Sequence, residues 1–187
     1  MHLDLDQTVA LQAIRETGSV LTRRGLRGPF EIVLAGGVAG LLAGLLDARR
    51  TTGDCDVLDI DQEEHWSLLA EAAAEVARSM GLPPTWFNRD CQQYAWCFPL
   101  GWKSRTESVG RFGPLHVRRV GRFDLMASKV VAGPKRPQDI LDVMAMKPTP
   151  DELDAVDQHL DRLSAEHLDG FNHAPQQAIL QALREQS

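Results

Sequence analysis

Two aspartates separated by a single residue are the strongest chemical signal in the sequence. Asp54 and Asp56 stand at the start of an apolar, β-branched segment, Cys55–Ile60, which is predicted to be a strand. Residues two apart in a strand point to the same face, so the two carboxylates lie side by side. A divalent cation such as Mg2+ relieves their repulsion and neutralises phosphate oxygens. The pair predicts a metal site; the alternative is an ordinary turn and strand start.

A pair of glycines precedes these aspartates. Gly36 and Gly37 follow a predicted strand, Phe30–Leu34, and lead into a predicted helix, Val38–Asp47. Glycine lets backbone amides approach a phosphate at a helix N-terminus, where the helix dipole favours anions. The pattern lacks the third glycine of a dinucleotide fingerprint and the Lys-Ser/Thr of a P-loop. It predicts a phosphate cradle beside the metal site.

Three further acids are predicted to lie outside this metal site. Asp59 and Asp61 differ in parity from Asp54 and Asp56 and are predicted to face away from them. Asp61, with Glu64 three residues later, has the form of a capping box. Asp124 is interpreted as the N-cap of a later helix.

The elements that must position these residues alternate along the chain. An opening helix covers Asp6–Leu21, and the helix that follows the Asp61–Glu64 capping box ends at Met80. Short antiparallel strands are predicted between Thr85 and Gly121, the clearest being Leu115–Val120, where His116 and Arg118 share a face. Four helices are predicted beyond residue 122: Phe123–Ala132, Gln138–Met146, Pro150–Leu163 and Ala174–Arg184.

This order predicts an α/β (α+β) fold, a small mixed sheet with flanking helices and a helical C-terminal part. Residues 1–122 would form the α/β core, and residues 123–187 would form a helical region packed on it. The length of 187 residues, with 43% hydrophobic and 25% charged residues, is typical of one globular core.

Composition also bears on location. Three cysteines at irregular spacing make neither a disulfide framework nor a paired zinc motif, which favours a cytoplasmic protein. The longest uncharged run, Ile32–Leu46, is shorter than the ~20 residues of a membrane span and contains four glycines. We therefore expect no membrane partner.

Charge is distributed unevenly. The net charge is -6, yet Gly101–Arg136 contains nine Lys or Arg and two acids, so that segment carries +7 and the rest of the chain -13. Such an excess predicts a surface for a triphosphate, an RNA backbone or both. The alternative is a set of solvated side chains.

Two stretches resemble a known family. Leu34–Ala39 followed by Arg50-x-Thr52-x-Asp54-x-Asp56 is similar to the first motif of the minimal nucleotidyltransferases of the polymerase-beta-like superfamily, particularly their AbiEii-like toxin branch. Asp124–Asp142 resembles that branch's Lys-containing helix and the Arg-x-x-Asp-x-x-Asp segment after it. The resemblance covers the chain from about Phe30 to Met146 and implies a sheet of the nucleotidyltransferase type.

The resemblance also implies roles for residues. Asp54 and Asp56 would hold the metal, Mg2+, and Lys129 would contact the triphosphate. Asp139 would act as a base or orient Lys129; the alternative for these two is a surface salt bridge between adjacent helices. The remaining nucleotide-binding residues would be Gly36, Gly37, Arg50, Thr52 and Arg136.

The expected activity is transfer of a nucleoside monophosphate from a nucleoside triphosphate to an acceptor hydroxyl. RNA is the candidate acceptor, with a protein or small molecule as alternatives, and the toxin branch implies a cognate antitoxin. One departure bears on catalysis: many relatives bring a third carboxylate from a later strand, and Leu115–Val120 contains none. A catalytically inactive nucleotide- or RNA-binding module of the same fold is therefore the competing prediction.

Overall fold

Five strands form one mixed sheet in the computed structural model, which describes residues 3–166 and 173–185. The strands are β1 (Phe30–Ala35), β2 (Cys55–Ile60), β3 (Phe87–Asn88), β4 (Glu107–Phe112) and β5 (Leu115–Arg119). Their order is β3-β2-β1-β5-β4. β1 pairs antiparallel with β2 and parallel with β5, while β2 pairs parallel with β3 and β4 antiparallel with β5. This arrangement confirms the predicted mixed sheet.

Helices flank the sheet. They are α1 (Gln7–Arg23), α2 (Gly36–Leu42), α3 (Trp66–Met80), α4 (Arg122–Ala132), α5 (Pro137–Met146), α6 (Pro150–Glu166) and α7 (Ala174–Arg184). α1 packs against α3, and α4 packs against α2, α5, α6 and α7. α4 contacts helices on both sides of residue 122, so the two predicted regions pack on each other. The division of the chain at that residue stays a prediction.

The central strand explains why the chain builds its core here. Five of the six residues of β1 are buried, and Ile32 and Leu34 are fully buried, because the strand has a neighbour on each edge and packing on its faces. β1 and β2 are predicted with nearly their observed bounds. The end of β1 carries the chain directly into Gly36 and α2.

The second helix is shorter than predicted. α2 ends at Leu42 instead of Asp47 and begins two residues earlier than expected. Gly44 explains the early end, since its φ of +65° is left-handed and its backbone N–H donates to the Leu41 carbonyl at 3.0 Å. The chain therefore leaves α2 well before β2 and has room for the segment that carries Asp54.

The two helix-cap predictions are wrong. Asp61 Oδ1 accepts a hydrogen bond from the backbone N–H of Glu31 at 2.7 Å, and α3 begins later, at Trp66, after a turn of 3-10 helix. Asp124 lies inside the first turn of α4, whose N-cap is Gly121. Its carboxylate is fully buried and paired with Arg105 at 2.5 Å. Each acid satisfies a different donor from the one that helix capping would supply.

The prediction for Asp59 is also wrong, because β2 contains an irregularity. Val33 lies opposite Asp59 and Ala35 lies opposite Asp56, with a bulge in the register between these pairs. The extra residue reverses the alternation, so Asp59 shares a face with Asp56. Its carboxylate is 2.6 Å from Lys103 Nζ.

The region between Thr85 and Gly121 is only partly as predicted. β4 and β5 form an antiparallel pair, but β3 has two residues and runs parallel to β2. A 3-10 segment, Asp90–Cys97, fills the space that more strands would occupy and packs on β2. The same-face prediction for His116 and Arg118 is confirmed, since both contact Glu31 on β1.

In residues 3–166 and 173–185, no helix is long and apolar enough to cross a bilayer. All three cysteines are free thiols.

Candidate functional site

The predicted metal and glycine residues meet where β1 ends and β2 begins. Gly36 has a left-handed φ of +67°, and a methyl group on it would overlap Oδ2 of Asp56. A methyl group on Gly37 would come within 3.0 Å of Thr52 Oγ1. The close approach of the segment that carries the aspartates therefore requires glycine at position 36 and leaves little room for a side chain at position 37. The sequence-based prediction that glycines and aspartates are adjacent holds in the structure.

Thr52 fixes the segment ahead of the aspartates. Its backbone N–H and carbonyl pair with Leu5, at 2.9 and 2.8 Å, in an isolated antiparallel bridge. Its hydroxyl donates to Asp54 Oδ1 at 3.2 Å. Thr52 thus orients a carboxylate, which differs from the nucleotide contact that the resemblance implies.

Asp56 is electrostatically strained. Burial, then the negative charges of Asp54 and Asp90, raise its pKa to about 6, while Arg136 and Lys129 act in the opposite direction. A carboxyl group with this pKa is ionised at neutral pH. A bound cation would offset the free-energy cost of its negative charge. Asp90 was not among the predicted site residues, and its only signal in the sequence is its place two residues after the end of β3.

Lys129 lies in a buried ion cluster between α4 and α5. Its ammonium is 2.7 Å from Asp139 Oδ1 and 2.6 Å from Asp142 Oδ2, and the side chain is 4% exposed. The salt bridge between adjacent helices that was the alternative is present, but it is buried and does not lie on the surface. The structure brings Lys129 and Asp139 together as predicted and adds a second carboxylate.

Asp142 ends the Arg-x-x-Asp-x-x-Asp segment but was not among the predicted site residues. Its Oδ1 accepts hydrogen bonds from Arg50 Nε at 3.0 Å and Gln138 Nε2 at 3.1 Å. Burial opposes its ionisation, but the hydrogen bonds from Arg50 and Lys129 outweigh burial and lower its pKa. The i, i+3 spacing of Asp139 and Asp142 on a helix is the signal that would have placed both on one face.

Arg136 is the exposed cation of the cluster. It precedes α5, its Nε is 3.3 Å from Asp139 Oδ2, and 69% of its side chain is accessible to solvent. Its positive charge also lowers the pKa of Asp56. The predicted site residues therefore converge on one region, with Arg136 facing solvent and Lys129 beneath it.

The donor set at Asp54 and Asp56 fits Mg2+. This cation prefers oxygen ligands and commonly uses one or two carboxylates, with waters and substrate phosphates completing its shell. Across the described part of the chain, no group of three or more His, Cys, Asp or Glu is arranged to hold a metal. A metal held by Asp54 and Asp56 would have two carboxylate ligands, and β5 carries no carboxylate.

The basic segment Gly101–Arg136 is largely neutralised by ion pairs. Seven of its nine cations lie within 4 Å of a carboxylate: Lys103, Arg105, Arg118, Arg119, Arg122, Lys129 and Arg136. Several partners come from outside the segment, including Glu31, Asp59 and Glu152. The excess charge in the sequence is thus balanced in space.

A solved structure shares this fold. The chain is similar to an antigenic nucleotidyltransferase-like protein from Paracoccidioides brasiliensis, with a TM-score of 0.50 and 16% sequence identity over 96% of this chain and 95% of that one. No family model and no curated protein matches the sequence. The fold is therefore nucleotidyltransferase-like, and the resemblance to the AbiEii-like branch rests on the sequence motifs alone.

Proposed function

We propose that this chain is a magnesium-dependent nucleotidyltransferase that moves a nucleoside monophosphate from a nucleoside triphosphate to an acceptor hydroxyl and releases pyrophosphate. The observation that carries the proposal is the position of Asp54 and Asp56. Asp56 lies against Gly36 where β1 ends and β2 begins, and Asp54 lies two residues before it, in a fold of the nucleotidyltransferase-like kind.

The proposal assigns a role to each of the residues at this junction. Asp54 and Asp56 would hold Mg2+, which would neutralise phosphate oxygens when bound. Gly36 keeps side-chain atoms out of the space next to Asp56, and Gly37 keeps them out of the space next to Thr52. Phosphoryl transfer depends mainly on positioning and on charge stabilisation. Cationic side chains are therefore needed to stabilise the negative charge of the triphosphate.

Arg136 is the cation best placed to contact the triphosphate, because its side chain is exposed while Lys129 is enclosed by two carboxylates. Lys129 contributes a fixed positive charge from its buried position between α4 and α5. Asp139 orients that ammonium, since its Oδ1 lies 2.7 Å from Lys129 Nζ. Of the two roles that the resemblance implies for Asp139, this geometry favours orientation over action as a base.

The acceptor is proposed only as a hydroxyl group. The ion pairs of the basic segment do not favour an RNA acceptor, because most of its cations already face carboxylates. The toxin role and the cognate antitoxin rest on the sequence motifs and stay predictions, as does a cytoplasmic location.

Labelled triphosphates test the reaction class. The protein is incubated with Mg2+, each nucleoside triphosphate in turn, and total cellular RNA and protein. The proposal predicts that label at the α-phosphate appears on an acceptor, while label at the γ-phosphate leaves as pyrophosphate. Transfer of the γ-label, or transfer of neither, would contradict the proposal.

The absence of a carboxylate in β5 favours one second candidate, an inactive nucleotide-binding module. Such a module would gain thermal stability from Mg2+ and a triphosphate together and would transfer no α-label. The two candidates therefore differ in the same assay once binding has been measured.

A further inference from the structure

Asp142 is committed to neighbouring side chains through both of its oxygens. Oδ2 faces Lys129, and Oδ1 accepts from Arg50 and Gln138. The carboxylate is 2% exposed, so a substrate does not reach it. Any effect of Asp142 on the reaction must therefore pass through the groups that it holds.

One of those groups belongs to the segment that carries the aspartates. Arg50 lies two residues before Thr52 and four before Asp54, in the connection between α2 and β2. That connection is held to Leu5 by the backbone of Thr52 and to α5 by the side chain of Arg50. The ion pair between Arg50 and Asp142 is thus a direct link from the helical cluster to the Asp54 segment.

We propose that Asp142 is a positioning residue, which acts through Arg50 to hold Asp54 and Asp56 in the geometry that binds Mg2+. This inference rests on the proposed function. It assigns Arg50 a different part from the nucleotide contact that the resemblance implies: its Nε anchors the segment to α5.

The competing role for Arg50 is a direct contact with phosphate. A phosphate contact acts only when nucleotide is bound, so its loss leaves Mg2+ binding to the nucleotide-free protein unchanged. An anchor holds the Asp54 segment with or without nucleotide, so its loss weakens that binding. Mg2+ binding by Arg50→Gln in the absence of nucleotide therefore separates the two roles.

Gln138 provides a matched control. It donates to the same oxygen of Asp142 as Arg50 does, but it is neutral, exposed and located on α5 itself. Gln138→Ala removes a hydrogen bond from Asp142 without releasing the Asp54 segment.

The experiment measures Mg2+ binding by thermal shift in the full chain, without nucleotide, beside steady-state transfer kinetics. Arg50→Gln should raise the Mg2+ concentration at half-maximal shift by about 10- to 100-fold, the range for residues that orient metal ligands, and lower kcat. Gln138→Ala should keep the wild-type Mg2+ concentration and kcat.

Asp142→Asn should reproduce the effect of Arg50→Gln, and the double variant should be no worse than either single one, because both changes break the same link. If Asp142→Asn does not fold, the Arg50 and Gln138 variants decide alone. An unchanged Mg2+ concentration in Arg50→Gln, or a loss in Gln138→Ala equal to that in Arg50→Gln, overturns the positioning role.

The two proposals fail in different ways. A wild-type protein that neither binds Mg2+ nor transfers label refutes the proposed function. A wild-type protein that binds Mg2+ while Arg50→Gln binds it equally well refutes only the role of Asp142.

Discussion

At the scale of single residues, Asp56 combines a cost to folding with a capacity to bind a cation. Burial and the charge of Asp54 raise its pKa to about 6, so its ionised form is disfavoured in the folded protein. A difference of about two pKa units corresponds to energies on the order of 1–3 kcal/mol at neutral pH. Residues of this kind are concentrated at functional sites.

Asp56→Asn should therefore abolish Mg2+-dependent transfer and raise the free energy of unfolding at pH 7 in the absence of Mg2+. The amide keeps the shape of the side chain and removes the unfavourable charge. Urea unfolding and α-label transfer measure the two effects.

Asp59→Asn is the matched control, because Asp59 lies on the same face of β2 but is paired with Lys103. It should retain transfer. A variant of Asp56 that is less stable than the wild type and fully active would remove Asp56 from the site.

The pKa of Asp56 also predicts a pH dependence of stability. Its folded-state pKa of about 6 lies above the ordinary value of 3.8, so the folded protein binds more protons between these values. The contribution of Asp56 to the free energy of unfolding therefore falls as pH rises from about 4 to about 6. The stability advantage of Asp56→Asn over the wild type should grow across this window and then level off.

Mg2+ binding should show the opposite trend, because the cation competes with the proton for the carboxylate. Thermal-shift titrations of the wild type from pH 5 to pH 7 should give tighter binding at the higher values. A Mg2+ affinity independent of pH in this range would contradict the assignment of Asp56 as a ligand.

At the scale of elements, the junction of β1 and α2 depends on Gly36 for two reasons. Its φ of +67° disfavours other residues, and a side chain would overlap Asp56. Gly44 has a similar φ of +65° with nothing within 4 Å of where a methyl group would lie. The two glycines share the backbone cost and differ in the contact.

Gly36→Ala should reduce transfer strongly, because it displaces Asp56, whereas Gly44→Ala should cost about 1 kcal/mol of stability and leave transfer in place. Kinetics and urea unfolding of the two variants side by side provide the measurement. Equal activity in both variants would show that the close approach of Gly36 and Asp56 has no part in function.

Lys129 joins α4 to α5 through a buried ion pair, and removal of one partner leaves charges without compensation. Lys129→Met would leave Asp139 and Asp142 facing each other and should lower the free energy of unfolding by about 3–5 kcal/mol. Lys135→Met, an exposed lysine in the turn between these helices, should change it by no more than about 0.5 kcal/mol. Urea unfolding of both variants checks this; a small loss for Lys129→Met would contradict a structural function of the cluster.

Periodic patterns made the main elements predictable from the sequence, whereas local contacts decided the details. β1, β2 and α5 followed from apolar runs and start signals. The early end of α2 depended on the conformation of Gly44, and the face of Asp59 depended on a bulge that no residue pattern announces. The roles of Asp61 and Asp124 depended on the donors Glu31 and Arg105, which are distant in sequence.

At the scale of the whole molecule, ion pairs compensate most of the positive charge of Gly101–Arg136, a segment that the structure describes throughout. Arg119 pairs with Glu107 at 2.8 Å, and Arg122 pairs with Glu152 at 2.7 Å. Arg118 donates to Thr106 and lies 3.6 Å from Glu31. The charge of a sequence segment does not show which of its side chains form ion pairs, because the fold brings in partners from other segments.

Replacement of Arg118, Arg119 and Arg122 by Gln should therefore act on stability more than on RNA binding. We expect a loss of about 1–3 kcal/mol in the free energy of unfolding, from hydrogen bonds to charged groups that are partly solvated. The salt dependence of RNA binding should keep its slope. A slope flatter by up to about three would show that these side chains contact RNA phosphates.

The most direct test of the central claim is transfer of α-phosphate label by the wild type, Asp56→Asn and Asp59→Asn, each with Mg2+ and with a chelator. If Asp56 is a Mg2+ ligand of a nucleotidyltransferase, the wild type and Asp59→Asn should transfer label only when Mg2+ is present. Asp56→Asn should transfer none. Transfer by folded Asp56→Asn at the wild-type rate, or by the wild type without divalent cations, would contradict it.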